Sequence, residues 1–300
     1  MDNMKKILVI GSANADMVIS SPKMPEIGET ITGSGFTVNA GGKGFNQAVA
    51  LSKLGGNVTF IGAVGNDANS EILAAAAKEY NVTYDVIRLE TAPTGVAVVT
   101  VVNGDNFIVL DPGANGALTP ALIDEKEDLL SQADIVVVQL EIPVETVLHL
   151  CKKAKQYGSY VVLNPAPYTK LPAEIFSLID LIIPNEHEAE GLCGFPVDTK
   201  QACIKAIDRI KAKGIKNVII TLGKKGCAFS NGKQVVFRQA EESIAVDTTS
   251  AGDTFIGAFC VKLSEGKTYQ EAIDFASKAA AITVSREGAA KSIPYAHEIQ

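Results

Sequence analysis

Short, continuous apolar runs alternate with helix-length segments along most of the chain, and this alternation most constrains its fold. A strand that is apolar throughout is buried on both faces, as in a parallel sheet covered by helices. Polar or glycine residues recur just past these runs. We therefore predict an α/β fold with a mostly parallel, doubly wound sheet, and a site along the carboxyl ends of its strands. The runs are residues 7–10, 58–61, 135–138, 160–163, 181–183 and 218–221.

The helices between these runs are predicted from their periodicity and from glycine or proline residues at their ends. One is expected to end near Leu54, ahead of Gly55-Gly56, and one is expected to begin at Pro143 and continue to Tyr157. The others are predicted over residues 69–80, 118–131 and 253–263.

Two segments interrupt the alternation with β patterns. Residues 17–38 lack helical periodicity and carry short β-like pieces at 18–19, 30–32 and 36–38. Residues 96–102 and 107–110 form a second patch, joined around Asn103-Gly104, a strong hairpin-turn signal.

These insertions predict a small sheet that stands apart from the main one, as a lid, a dimer surface, or both. The chain is thus predicted as a single α/β domain, residues 1–300, with a discontinuous β lid from about 14–40 and 94–112.

Composition removes several classes of function. The net charge is −7 and no Lys/Arg-rich cluster occurs, so nothing favours a nucleic acid or an anionic membrane surface as a partner. The five cysteines are odd in number and never paired as C-x-x-C, which argues against a disulfide framework or thiolate zinc site and favours a reducing compartment. No window approaches the roughly 20 apolar residues of a membrane span. We expect a soluble cytoplasmic protein.

The stretch D-T-T-S-A-G-D-T-F-I-G, residues 247–257, predicts the start of a helix. Backbone N–H groups at a helix start are unpaired, and the helix dipole adds positive potential, so the backbone forms an anion site. Asp253 stands inside it and can accept a proton from a hydroxyl that approaches the anion. The alternative is that Asp253 only decorates the helix N-terminus, as Asp often does.

Asn14 and Asp16 follow the first strand, where open α/β sheets bind ligands. An amide beside a carboxylate suits a polyhydroxylated ligand. G-x-G-x-x-G is absent there, which excludes the dinucleotide fingerprint.

The stretch G-G-K-G-F-N-Q, residues 41–47, precedes a helix. Its glycines let the backbone approach a ligand closely, while Lys43 and Asn46 offer a charge and an amide. It is not a Walker A loop, because Thr37 takes the place of the first glycine and Gly44 follows the lysine. A simple turn before a helix remains the alternative.

Asn185 and Glu188 are three residues apart and share one face of a helix that starts there. An acid with an amide suits a hydrated Mg²⁺, but both residues could equally cap the helix. Residues 221–226 likewise fit a ligand loop or an ordinary turn.

Taken together, six stretches resemble the ribokinases, within the phosphofructokinase-B family of carbohydrate kinases. They match in order and spacing and cover nearly the whole chain. The resemblance implies a ribokinase-like three-layer α/β/α core with a β lid that closes over a sugar and commonly forms a homodimer contact. The stretches are G-S-A-N-A-D (11–16), G-G-K-G-F-N-Q-A (41–48), L-N-P-A-P (163–167), P-N-E-H-E-A-E (184–190), T-L-G-K-K-G (221–226) and D-T-T-S-A-G-D-T-F (247–255).

The resemblance implies ATP-dependent phosphorylation of D-ribose at O5, with Mg²⁺ and with activation by K⁺. Asp253 becomes the base for the 5-hydroxyl, and the backbone of Ala251, Gly252 and Asp253 becomes the anion hole for the γ-phosphoryl group. Ribose contacts fall on Asn14, Asp16, Gly42, Lys43, Asn46 and Glu141. Nucleotide contacts fall on Asn185, Thr221, Leu222, Gly223, Lys224, Lys225, Gly226, Gly252 and Ser277.

Metal positions are implied in the same way. Glu188 matches the acid that organises Mg²⁺ through water. The monovalent-cation site maps to Asp247, Thr249, Thr283, Arg286, Gly288 and Ser292.

The chain departs from the family pattern at Phe45, where small residues are usual, and at Ser250. Phe45 is expected to add bulk beside the sugar loop and to alter the fit of the lid. Other substrates remain open, above all 2-deoxyribose and more remotely a nucleoside or fructose, as does a non-catalytic regulator on a kinase fold. Asn14 favours ribose, because its amide can bond the 2-hydroxyl that deoxyribose lacks.

Overall fold

A computed structural model describes residues 4–102, 105–230 and 233–299. Its strands are β1 (Lys6–Ile10), β2 (Asn14–Ser20), β3 (Ser34–Gly41), β4 (Asn57–Ile61), β5 (Ala63–Gly65), β6 (Thr83–Tyr84), β7 (Ile87–Leu89), β8 (Gly95–Val102), β9 (Asp105–Asp111), β10 (Ile135–Val138), β11 (Tyr160–Leu163), β12 (Leu181–Ile182), β13 (Asn217–Thr221), β14 (Cys227–Ser230) and β15 (Val235–Arg238). Its helices are α1 (Lys43–Lys53), α2 (Ala68–Glu79), α3 (Pro120–Asp124), α4 (Glu127–Ser131), α5 (Val144–Gln156), α6 (Glu186–Cys193), α7 (Lys200–Lys211), α8 (Ala251–Ser264) and α9 (Tyr269–Val284).

The main sheet has the order β15-β14-β13-β12-β11-β10-β1-β4-β6. Its strands pair in parallel from β6 to β13, and β14 and β15 add an antiparallel edge. All six predicted apolar runs lie in this sheet, which confirms the mostly parallel architecture. The chain proceeds from β1 to β4 on one side and later to β10 on the other. The strand order therefore reverses between β1 and β10, and a crevice opens outside their carboxyl ends.

Side chains of the buried strands alternate between two apolar layers. In β1, Leu8 and Ile10 join the core built with α5, α6 and α7, whereas Ile7 and Val9 join the core built with α1, α8 and α9. Both faces of the sheet are thus covered by helices, which is why these strands are apolar throughout. The three-layer prediction is confirmed.

A smaller sheet with the order β3-β2-β8-β9 contains both predicted β insertions. β2 pairs in parallel with β8, and β3 and β9 flank them as antiparallel partners. Apolar side chains on this sheet are exposed, including Phe36 at 62% and Val109 at 71%. The expected turn at Asn103-Gly104 lies outside the described residues.

Two local predictions are wrong. Residues 30–32 form no strand: β-branched residues prefer extended structure, but a strand also needs a partner edge. Residues 118–131 are not one helix but two, α3 and α4. The break lies at Lys126, whose N–H bonds to the Ile123 carbonyl in a tight turn while its Nζ reaches Asp85 Oδ1 at 2.6 Å.

Within the described part of the chain, no helix is both long enough and apolar enough to cross a membrane.

Candidate active site

Segments from separate parts of the sequence meet at the crevice beyond β1 and β10. Glu141, three residues past β10, accepts hydrogen bonds from Ser12 Oγ at 2.5 Å and from the Lys43 backbone N–H at 3.2 Å. These bonds tie the end of β10 to the end of β1 and to the start of α1. Glu141, Lys43 and the residues after β1 therefore share one crevice.

The glycines of residues 41–44 bring two chain segments together. Gly42 has φ +92°, and a Cβ on it would lie 2.9 Å from both the Asn14 nitrogen and the Ser12 oxygen. A Cβ on Gly44 would lie 2.7 Å from the backbone of Gly11 and Ser12. The close approach seen here is thus of α1 to the segment after β1, which places Lys43 and Asn46 beside Asn14 and Asp16.

Asp253 lies in the first turn of α8 and is 8% exposed. Gln47 Nε2 donates to its Oδ1 at 2.9 Å, and Asn46 Nδ2 reaches its Oδ2 at 3.5 Å. Burial and the Glu141 carboxylate raise the pKa of Asp253, and this outweighs the opposing effects of Lys43 and the two amides. The two amides fix the orientation of the carboxyl group, and its pKa is higher than that of an exposed aspartate.

A chain of amides supports Asp253, and the sequence analysis assigned none of its members a role. Gln139 Nε2 donates to Gln47 Oε1 at 2.6 Å, and Gln47 Nε2 also contacts Asn164 Oδ1 at 3.2 Å. Asn164 in turn donates to the Ile183 carbonyl at 3.0 Å. The sequence could have pointed to Gln139 and Asn164 through their positions, because each residue directly follows a buried strand.

Asp16, Glu141 and Asp253 crowd three carboxyl groups around one lysine. Burial, aided by Glu141 and Asp253, raises the pKa of Asp16 to about 7. Burial alone would lower the pKa of Lys43, but Asp253, Glu141, Glu188 and Asp16 raise it on balance. Lys43 therefore stays an ammonium and compensates part of the negative charge. Such a mixture of donors and acceptors suits a polyhydroxylated ligand.

Asn14 is 3% exposed, and a second asparagine fixes its orientation. Asn115 Nδ2 donates to Asn14 Oδ1 at 2.7 Å, while Asn115 also bonds the backbone of Ala13 in both directions, at 3.0 and 3.1 Å. The oxygen of Asn14 is thus taken, which leaves Nδ2 as the donor for a ligand. No sequence signal pointed to Asn115.

The start of α8 is open. Its N-cap, Ser250, has φ +60° and makes no side-chain cap, and a Cβ on Gly252 would have nothing within 4 Å. The Ala251 N–H bonds to the Thr248 carbonyl at 3.3 Å. The backbone N–H groups of Gly252 and Asp253 therefore remain the best-placed donors for an anion.

Asn185 and Glu188 cap α6, as one of the two interpretations of this pair expected. Glu188 N donates to Asn185 Oδ1 at 2.9 Å, and Asn185 N and Nδ2 donate to the Glu188 carboxylate at 2.8 and 2.9 Å. Burial raises the pKa of Glu188.

The loop of residues 221–226 is the turn between antiparallel β13 and β14, and a bridge between Asn185 and Thr221 joins it to the start of α6. The turn holds Leu222, Gly223, Lys224, Lys225 and Gly226, and it is closed by a hydrogen bond from Leu222 N to the Gly226 carbonyl at 2.7 Å. Lys225 pairs with Glu186 at 3.0 Å. Ser277 is buried on α9.

The six cation-site residues are brought together only in part. The Asp247 carboxylate accepts from Thr249 N at 2.9 Å, Thr249 Oγ1 at 2.6 Å and Gly288 N at 2.9 Å. Burial alone would raise the pKa of Asp247, but the three hydrogen bonds outweigh burial and lower the pKa. These contacts join the segment before α8 to the one after α9.

The other three residues point elsewhere. Ser292 Oγ donates to the Ala289 carbonyl at 2.7 Å, Thr283 Oγ1 contacts Thr254 Oγ1 at 3.0 Å, and the Arg286 side chain pairs with Glu298 at 2.7 Å. Among residues 4–102, 105–230 and 233–299, no group of three or more His, Cys, Asp or Glu side chains is arranged to hold a metal ion.

Phe45, expected beside the sugar loop, points into the core instead. It is fully buried, and its ring meets Phe60 edge to face at 5.8 Å and Tyr84 at 6.1 Å. At the first turn of α1, Lys43 and Asn46 face the crevice while Phe45 packs behind them.

Comparisons with known proteins show the family of the chain. A family described as pfkB family carbohydrate kinase matches residues 4–296. The chain is 43% identical over 297 residues to a ribokinase of Haemophilus influenzae, a match that covers 98% of this chain and 97% of that protein. A deoxyribokinase of Salmonella typhi is 37% identical over 292 residues, covering 96% and 95% of the two chains.

A solved structure of Arabidopsis thaliana ribokinase complexed with ribose and ATP has the same fold. The TM-score is 0.92 at 35% identity, and the match covers 98% of this chain and 97% of that one.

Proposed function

The chain belongs to the pfkB family of carbohydrate kinases and is an ATP-dependent carbohydrate kinase, and we propose that its acceptor is the 5-hydroxyl of D-ribose. The products are ADP and D-ribose 5-phosphate. One observation carries the proposal: Asp253, only 8% exposed, is oriented by the amides of Gln47 and Asn46 at the open start of α8. The ribokinase of H. influenzae and the A. thaliana complex with ribose and ATP support ribose as the sugar.

The sugar lies in the crevice between the ends of β1 and β10. Asn14 Nδ2 and the Lys43 ammonium donate to its hydroxyl oxygens, and Asp16 and Glu141 accept from its hydroxyl hydrogens. Asn46 Oδ1 is buried without a hydrogen-bond partner within the described part of the chain, so it has a free acceptor for a sugar hydroxyl. Gly42 serves by letting these side chains converge.

Asp253 accepts the proton of the 5-hydroxyl while O5 forms a bond to the γ-phosphorus and the bond from that phosphorus to ADP breaks. Phosphoryl transfer of this kind depends mainly on positioning and on neutralisation of charge. The N–H groups of Gly252 and Asp253 and the dipole of α8 face the developing negative charge. The Ala251 N–H, expected as a third donor, bonds to the Thr248 carbonyl at 3.3 Å and would have to leave it to join them. Burial raises the pKa of Asp253, which strengthens it as a base.

The nucleotide lies against the turn of residues 221–226, with Asn185 and Ser277 at its edges. Glu188 would hold Mg²⁺ through water, and its buried carboxylate fits such a role because Mg²⁺ keeps several waters and touches few protein groups. When bound, the ion neutralises phosphate charge. The capping of α6 by Asn185 and Glu188 keeps both side chains in fixed positions.

Residues before α8 and around the end of α9 would hold a monovalent cation, K⁺ in this proposal. The donor set fits a hard cation in part: Asp247 and Thr249 carry carboxylate and hydroxyl oxygens beside Gly288. Thr283, Arg286 and Ser292, whose side chains bond other groups, would contribute backbone carbonyls. When bound, the ion adds positive charge beside the start of α8.

The smaller sheet is proposed as a lid that closes over the sugar and excludes water. Its exposed apolar side chains, such as Phe36, Val98 and Val109, are expected to be covered in a homodimer. A cytoplasmic location belongs to the same proposal, because all five cysteines are unpaired and buried.

The nearest competing substrate is 2-deoxyribose, and the S. typhi deoxyribokinase keeps it open. Asn14 is the discriminating residue. A site built to donate to a 2-hydroxyl rejects a sugar that lacks it, because the donor is then left unpaired. Fructose and nucleosides are more remote alternatives.

The test is ADP release from ATP with ribose, 2-deoxyribose, fructose and adenosine, each in K⁺ and in Na⁺. We expect ribose to give the highest kcat/KM and K⁺ to raise it well above the value in Na⁺. Equal or better activity on 2-deoxyribose would overturn the choice of sugar, equal rates in the two salts would remove the cation site, and no ADP release with any sugar would favour a non-catalytic regulator.

A further inference from the structure

Lys53, the last residue of α1, buries its ammonium against the segment that carries two proposed cation ligands. It is 6% exposed, and its Nζ lies 3.3 Å from the Ala290 carbonyl oxygen and 3.5 Å from that of Lys291. These two carbonyls stand between Gly288 and Ser292 in the sequence.

Aromatic rings complete the surroundings of this ammonium. Nζ lies 4.7 Å from the ring centroid of Tyr295 and 5.1 Å from that of Tyr80. Within the described part of the chain, Lys53 forms no ion pair with a carboxylate, the usual partner of a buried lysine. Carbonyl oxygens and aromatic faces attract a cation without neutralising it. This arrangement holds backbone in place rather than cancelling charge.

The segment of residues 288–292 lacks helix and strand, so its shape depends on such contacts. Asp247 holds it on the N–H side through Gly288 at 2.9 Å, and Lys53 holds it on the carbonyl side. The neighbouring residues Ala290 and Ser292 are 5% and 1% exposed, so the segment is packed rather than free. An ammonium removed from this position would leave the buried Ala290 carbonyl without its donor and would also remove the contact with the Lys291 carbonyl.

We propose that Lys53 is a positioning residue for the monovalent-cation site: by fixing the Ala290 and Lys291 carbonyls, it sets the spacing between the ligands at Gly288 and Ser292. The inference rests on the cation site of the proposed function. It adds that α1, whose other end carries Lys43 and Asn46, is joined through Lys53 to the cation segment. Residues that orient ligands without touching the metal commonly change metal affinity when they are replaced.

The test is activity against KCl concentration, at constant ionic strength with tetramethylammonium chloride, for the wild type, Lys53→Met and Lys53→Arg. Lys53→Met keeps the apolar stem but removes the donors and the charge, and we expect the K⁺ concentration for half-activation to rise about tenfold. The kcat at saturating K⁺ and the KM for the sugar should change little. Lys53→Arg keeps a cation that donates and stacks, so it should stay close to the wild type.

Lys262→Met is the matched control, because Lys262 also lies over an aromatic ring, that of Phe275 at 4.4 Å, but belongs to the C-terminal part of α8. Its half-activation should equal that of the wild type. If Lys53→Met fails to fold, Tyr295→Leu is the second variant. It removes one of the two aromatic rings that contact the Lys53 ammonium and should still raise the K⁺ concentration for half-activation. The rise in Tm caused by KCl, measured without substrates, should shrink in either variant.

The outcomes separate the two proposals. A wild type that responds to K⁺ neither in rate nor in Tm overturns the cation site, and the inference about Lys53 falls with it. A K⁺-dependent wild type whose half-activation is unchanged in Lys53→Met overturns the inference alone. A loss of kcat at saturating K⁺ with unchanged half-activation also contradicts it, because that pattern is one of general damage to the fold.

Discussion

Gln47 donates a hydrogen bond from Nε2 to Oδ1 of Asp253 at 2.9 Å, while its own Oε1 accepts from Gln139 at 2.6 Å. Gln47 and Gln139 are fully buried. The direction of the Asp253 carboxylate is therefore set from behind, by an amide chain rooted at the end of β10. Oδ2, which contacts Asn46 only at 3.5 Å, is the oxygen left to receive a proton.

Gln47→Leu is expected to lower kcat about 10- to 100-fold, since a hydrogen bond to a charged group contributes about 1.5 to 3 kcal/mol. The KM for ribose should change little, because Gln47 supports the base rather than the sugar. Steady-state kinetics with a direct measurement of ribose binding separate the two effects. Gln139→Leu, one residue further from Asp253, should lower kcat less. An unchanged kcat in a folded Gln47→Leu protein would remove Gln47 from this role.

Asp253→Asn should abolish turnover while ribose binding largely persists, because the amide keeps the shape of the side chain but accepts no proton. Calorimetric titration with ribose beside an ADP-release assay measures both quantities. Substantial residual turnover would exclude Asp253 as the base. Loss of binding together with loss of turnover would assign it to sugar recognition instead.

Gly95→Ala should raise the KM for ribose by about tenfold, the scale expected when a group that positions substrate is displaced. A Cβ on Gly95 would lie 2.3 Å from both Asn115 Nδ2 and Asn14 Oδ1, so it would separate the pair that orients Asn14. Gly116→Ala is the control, because its Cβ would only reach Pro112 at 3.4 Å. Equal KM values in the two variants would count against the orienting role of Asn115.

Phe45→Ala should cost about 3 to 5 kcal/mol in the free energy of unfolding, the usual cost of deleting a buried phenyl ring. Its ring is fully buried against Phe60 and Tyr84 rather than beside the sugar. Urea denaturation measures the loss, and Phe45→Leu should lose less. The KM for ribose should stay near the wild-type value; a large change in KM without loss of stability would restore the expectation that Phe45 acts on the sugar loop.

The main sheet could be predicted because each buried strand is a short apolar run in the sequence, such as Ile135–Val138. Helices such as α5 could also be predicted, because residues at their ends, here Pro143, mark them in the local sequence. The break at Lys126 could not be predicted in this way, because no glycine or proline marks it between residues 121 and 131.

The residues around Asp253 could be predicted only where they belong to a recognisable sequence motif. Asn115 supports Asn14 across 101 residues of sequence, and no local pattern selects one asparagine over another for that contact. Phe45 was misplaced because a motif fixes a position in the chain, whereas the turn of α1 decides that this side chain points away from Lys43. The pairing of Lys53 with the Ala290 carbonyl depends in the same way on how α1 packs against the C-terminal segment.

Asp16 should make the protein less stable as pH rises from 5 to 8. Burial beside Glu141 and Asp253 raises the pKa of Asp16 from 3.8 to about 7 in the folded state. Between these two values the folded state binds more protons than the unfolded chain, so this group lowers the free energy of unfolding as pH increases. Asp16→Asn removes the group, and relative to the wild type it should gain about 2 to 3 kcal/mol between pH 5 and pH 8.

Urea denaturation of both proteins at the two pH values measures this gain, and taking the difference between them cancels groups that titrate in both. Asp208→Asn, at an exposed position on α7, should give no comparable pH-dependent difference. A gain for Asp16→Asn that is the same at pH 5 and pH 8 would mean that Asp16 titrates near its ordinary range. In that case Asp16 would be ionised throughout this pH range and would meet the sugar as a carboxylate.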